Sequence, residues 1–115
     1  MSSISHRDFS CILSMLESIQ KIQLYSGKFS DADVFYSDTL SFDACMMNFI
    51  VIGEMVEKIS EELISNTEER INWSKVKGFR NIIAHNYFGI DAEEVWQIIQ
   101  TSLPNLRTVL EEIIR

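Results

Sequence analysis

The residues with the most chemistry in this chain stand together in Arg80-Asn81-Ile82-Ile83-Ala84-His85-Asn86-Tyr87, and His85 is one of only two histidines in 115 residues. Arginine is a permanent cation whose forked donors suit phosphate. Histidine titrates near neutral pH and can take or give a proton. Together they suit phosphodiester cleavage without a metal, with His85 as acid or base at a ribose hydroxyl or leaving oxygen and Arg80 on the developing charge. RNA supplies its own nucleophile, the 2′-hydroxyl; DNA needs an activated water. The same residues also fit a plainer reading, in which His85 is a helix C-terminal residue favoured by the dipole and Arg80 a solvated surface charge.

A helix must position them. Val76, Phe79, Ile82, Ile83 and Asn86 fall on one side of such a helix, and Lys77, Arg80, Asn81, Ala84 and His85 on the other. At about 100° per residue, Arg80 and His85 stand roughly 140° apart around the axis, so they flank a shallow face rather than stack. Asn81, four residues before His85, lies within reach of it. Ala84 is small enough to let a ligand approach. Lys75 and Lys77 lie just upstream and offer further cationic contacts for a nucleic-acid backbone. The span from Arg70 to Arg80 holds four of the ten basic residues.

Arg80, four intervening residues, His85, one residue and Tyr87 match the Arg-x4-His-x-Tyr motif of HepT-like proteins, a branch of the HEPN superfamily. Gly53-Glu54, Trp73, the stretch from Asp91 to Trp96 and Pro104 also resemble that family, so the likeness runs over nearly the whole chain. The resemblance implies an all-α, HEPN-like antiparallel bundle and a metal-independent endoribonuclease with Arg80 and His85 as its catalytic residues. It implies the toxin of a type VII toxin–antitoxin pair, acting as a homodimer whose two motif helices form one composite cleft. The implied partner is a MntA-like minimal nucleotidyltransferase acting as antitoxin, which transfers AMP to the motif tyrosine, here Tyr87. Two-fold symmetry would supply the second proton-transfer group that one chain lacks. A reading of another class is a non-enzymatic docking subunit for a nucleotidyltransferase; a third is a plain dimeric structural module.

Composition limits these readings. A chain of 115 residues accommodates one domain, residues 1–115, and 46% hydrophobic residues are enough for a packed core. The net charge of −7 argues against broad non-specific nucleic-acid binding, though not against a local cationic cleft. Cys11 and Cys45 sit in apolar helical pattern and read as buried thiols rather than a disulfide or a metal site. No cofactor is expected. No basic start leads into an apolar signal core, and the longest apolar run, residues 45–53, is too short to span a bilayer. A cytoplasmic protein without a membrane partner is the expectation.

Four or five helices emerge in order. The first starts after Ser5, with Ser5-His6-Arg7-Asp8 as a capping box and Phe9, Ile12, Leu13, Leu16 and Ile19 on its apolar face. Gly27 is its stop. Residues 27–37 read as a connection with one helical turn over 32–36, pinned by Phe29, Phe35 and Tyr36. A long helix follows over 38–65, with an apolar surface wide enough for a core and a partner chain. Gly53 inside it predicts close approach of another helix, placing Glu54 near a crossing where it can orient Arg80 or His85. Residues 66–72 read as a polar link, Asn72 or Ser74 as the cap of the motif helix, and Trp73 as a core anchor. Gly78 leaves room near His85. Asp91 caps a helix over 92–102, and Pro104 opens a final one.

Overall fold

A computed structural model of the protein describes residues 4–85 and 91–115, with the backbone alone described for 82–85. The fold is an all-α bundle with no strand among the described residues. Helix α1, His6–Ser26, begins where the sequence indicates, with the Ser5 hydroxyl accepting from the Asp8 N–H at 3.0 Å. Asp8 does not close the box. Its buried carboxylate accepts instead from the Ser60 N–H at 2.9 Å and the Ser60 hydroxyl at 2.6 Å, 52 residues away. The buried stripe of α1 is Cys11, Ile12, Met15, Leu16, Ile19 and Ile22, while Phe9 and Leu13, expected on that face, are 39% and 45% exposed. Two overlapping apolar faces share this helix, and the position of its neighbour selects between them.

Asp31 caps the short helix α2, Ala32–Ser37, through a 2.9 Å bond from the Val34 N–H. Phe35 drives α2 into the core, its ring centroid 5.7 Å from Phe29, 5.1 Å from Phe42 and 5.7 Å from Trp96. Helix α3, Thr39–Val56, is the centre of the molecule, with α1 and α5 packed on it. Asp38 caps it by accepting from the Ser41 N–H at 3.0 Å, and that backbone bond holds the Asp38 carboxyl below its ordinary range. By length and composition α3 could cross a bilayer; here it carries the core residues Phe42, Met46, Phe49 and Ile52. Cys45 is fully buried and its thiol is pushed up to about 12 by burial, which agrees with an inert core thiol.

The helix expected over 38–65 is two helices. α3 ends at Val56, a turn follows, and α4 runs Glu61–Thr67. Ser60 adopts an extended conformation and accepts from the Leu63 N–H at 3.2 Å, with Glu61 and Glu62 in the first turn of α4. The grip of Asp8 on Ser60 holds the break open. The polar link is correspondingly shorter than 66–72.

Helix α5, Trp73–His85, carries the motif. Asn72 caps it by accepting from the Lys75 N–H at 3.1 Å. Trp73 is a buried anchor that donates from Nε1 to the Thr67 hydroxyl at 2.8 Å. Val76 and Phe79 face the core, where Phe79 meets Phe49 edge-on at 5.6 Å. Asp91 caps α6, Ala92–Gln97, as expected, by accepting from the Glu93 and Glu94 N–H groups. Pro104 stands in the first turn of the final helix, as expected, but that helix does not start afresh. α6 runs through a π-helical turn, Ile98–Ser102, straight into α7, Leu103–Ile113, and the Leu103 N–H bonds the Ile98 carbonyl five residues back. Proline lacks the donor for residue 100 and crowds its carbonyl, and a widened turn just before it absorbs both defects. α1, α3, α5 and the α6–α7 rod are thus the substantial helices, within the expected number.

Candidate active site at the crossing of α3 and α5

Gly53 brings α5 onto α3. A Cβ at this position would lie 2.6 Å from the Arg80 Cβ and 3.3 Å from both the Arg80 N and the Lys77 carbonyl. The close approach expected of Gly53 is present, and the residue it admits is Arg80. The first methylenes of Arg80 are held against the α3 backbone, and its side chain is 26% exposed.

Its guanidinium is held by two carboxylates through one nitrogen. Nη1 donates to Glu57 Oε2 at 2.7 Å and to Glu54 Oε1 at 3.3 Å. These partners, Glu57 first, raise the Arg80 pKa further above its ordinary value, so the charge is permanent. Glu54 reaches Arg80 as the sequence reading allows. Glu57 is the stronger contact and was not expected. Its signal was available: on a helix Gly53 and Glu57 share a face at i, i+4, whereas Glu54 is turned away by about 100°. The same Glu57 carboxylate also meets Lys77 Nζ at 3.7 Å.

The remaining cations do not form one patch. Lys75 points to the opposite side of α5 from Lys77, where its Nζ lies 3.4 Å from the Ser102 hydroxyl. Arg70 is paired with Glu112. The grouping of Lys75 and Lys77 with Arg80 is therefore divided by the helix between two faces. The room left by Gly78 also opens away from Arg80, since a Cβ there meets nothing within 4 Å and a hollow of about 430 Å³ beside it is lined by Lys75, Phe79, Glu94, Gln97 and Ile98.

Asn81 is exposed one residue beyond Arg80, and the backbone of His85 completes the same helix one turn later. The His85 side chain and all of Tyr87 lie outside the described residues. Both carboxylates at the crossing are engaged by Arg80, and among the described residues no three His, Cys, Asp or Glu side chains converge as a metal site. What the arrangement offers is a fixed, permanent cation at the start of the helical turn that ends in His85.

A protein of Methanocaldococcus jannaschii named as a candidate RNase is 34% identical over 83 residues, 72% of this chain and 68% of its own length. Another from that organism, named as a gamma-glutamylcyclotransferase and candidate RNase, is 30% identical over 101 residues, 88% of this chain and 43% of its own length, so the chain spans under half of that relative. The probable ribonuclease HepT of Thermococcus cleftensis is 24% identical over 109 residues, 95% of this chain and 96% of its own length. No solved structure matches the chain. The model of the ribonuclease HepT-like family matches residues 15–113, which takes in the α3–α5 crossing and the motif helix, and the chain belongs to that family.

Proposed function

We propose that this chain is a metal-independent RNA endonuclease in which Arg80 and His85 carry the reaction. The observation that supports it most is the anchored guanidinium of Arg80 on the helix that continues to His85. In the proposed step, one His85 takes the proton from a ribose 2′-hydroxyl. The 2′-oxygen attacks the adjacent phosphorus, the bond to the 5′-oxygen breaks, and a second His85 protonates that oxygen. Arg80 bears the charge gathering on the non-bridging oxygens. The products are a 2′,3′-cyclic phosphate and a free 5′-hydroxyl. Asn81 and Lys77 lie on the substrate side, and Lys75 holds more distant backbone.

The second His85 comes from a second copy. Support for a homodimer lies on α3, where Leu40 and Met47, seven residues apart on one line, are 82% and 61% exposed. On the family resemblance, the chain is the toxin of a cytoplasmic toxin–antitoxin pair. Its MntA-like partner silences it by joining the Tyr87 hydroxyl to the α-phosphate of ATP with release of pyrophosphate. The added negative charge would repel RNA phosphate.

The test is cleavage of RNA by the purified chain with EDTA present, reading the ends for cyclic phosphate. His85→Ala is expected to lose cleavage by at least about 100-fold and to keep its melting temperature and solution mass. Loss of the dimer instead would make His85 structural. Tyr87→Phe is expected to cleave RNA yet gain no mass when incubated with the partner and ATP. A wild-type chain that binds the nucleotidyltransferase and cleaves nothing is a docking subunit.

A further inference from the structure

We infer that Glu57 is a positioning residue for this cleavage: with Glu54 it grips Arg80 by Nη1 and so turns the Nε–Nη2 edge of the guanidinium to the substrate phosphate. The inference rests on the role proposed above for Arg80. Both carboxylates converge on one nitrogen, Glu57 at 2.7 Å and Glu54 at 3.3 Å. Among the described residues, Nε and Nη2 make no hydrogen bond. Those two donors are parallel, and one edge of that kind fits two oxygens of a phosphate. A guanidinium held at Nη1 is biased toward presenting that edge.

Glu57 is itself well placed to hold. It ends α3, its N–H donating to the Glu54 and Met55 carbonyls, and it opens the turn that Asp8 secures through Ser60. Gly53 fixes the other end of the arginine by letting its Cβ rest on α3. The ion pair is too exposed to matter much for stability, with Arg80, Glu54 and Glu57 side chains 26%, 47% and 38% accessible. Its consequence is orientation. A carboxylate near the phosphate also repels the substrate, so the arrangement weakens RNA binding while it aligns the transition state.

That opposition gives the test. Glu57→Ala is expected to lower kcat by roughly tenfold or more, with KM unchanged or lower and the melting temperature unchanged. Glu57→Gln, which keeps an acceptor for Nη1, is expected to recover most of kcat. On an Arg80→Ala background, Glu57→Ala is expected to add nothing, because it acts through the missing guanidinium. If Arg80→Ala is inactive while Glu57→Ala keeps or gains kcat, the positioning role is wrong and the cleavage reading stands. If Arg80→Ala cleaves normally, the cleavage reading itself is wrong. A readout independent of turnover is the Arg80 side-chain nitrogen spectrum. Hindered rotation should separate Nη1 from Nη2 in the wild type and be lost in Glu57→Ala; equal spectra for the two proteins would reject the anchoring.

Discussion

At position 53 the absence of a single methyl group decides where Arg80 stands. The atoms a new Cβ would meet are another Cβ and backbone, none of which can rotate aside. Gly53→Ala gains about 1 kcal/mol of helix propensity, but it forces α5 away from α3. The expected net effect is a loss of roughly 1–3 kcal/mol in urea unfolding, with a fall in RNA cleavage larger than the unfolded fraction explains. Unchanged stability and activity would mean that α5 packs more loosely here than the structure has it. The need for glycine was legible in the sequence, as a costly residue inside an apolar helix. Its counterpart was not, because residues 53 and 80 are joined only by the way two helices cross.

At the scale of elements, the break between α3 and α4 does most to shape the site. The apolar positions Ile59, Leu63 and Ile64 continue the periodicity of α3, so the pattern alone reads through the gap. The stop signal was Ser60 followed by Glu61 and Glu62, a helix start hidden inside an apolar run. The partner that reinforces it, Asp8, is far away in sequence. Ser60→Ala removes the cap of α4 and one of two donors to a buried carboxylate. It should cost about 1–3 kcal/mol in chemical denaturation and lower cleavage by loosening Glu57. A melting temperature equal to wild type would show that the Leu63 and Asp8 bonds contribute nothing. Pro104 begins α7 as its type suggests, whereas the widened turn that joins α7 to α6 was not legible, because a proline at a helix start fits a fresh start and a continued rod alike.

For the molecule as a whole, the net charge of −7 leaves little cationic surface, and the structure spreads it thinly. Arg70, Lys77 and Arg80 each meet a carboxylate, and Lys75 faces the other side of α5. Charge alone therefore gives this face little pull on RNA, and the proposed site depends on the placement of Arg80 and His85. If the exposed stripe on α3 joins two copies, Leu40→Glu combined with Met47→Glu should halve the solution mass and abolish cleavage while leaving the helical circular dichroism intact. A variant that stays dimeric would move the interface elsewhere.

Local patterns sufficed for much of this protein. Helix type, most caps, the anchors Phe35 and Trp73, and the Arg80–His85 spacing all depend on residues within a few positions of one another, where backbone geometry sets the outcome. The partners of those residues were settled only by tertiary packing. Which face of α1 is buried, that Asp8 serves a turn 52 residues away, and that Glu57 holds Arg80 more closely than Glu54 does all follow from where one helix lies on another. That placement comes from the shape of the whole core, and no short stretch of sequence contains it.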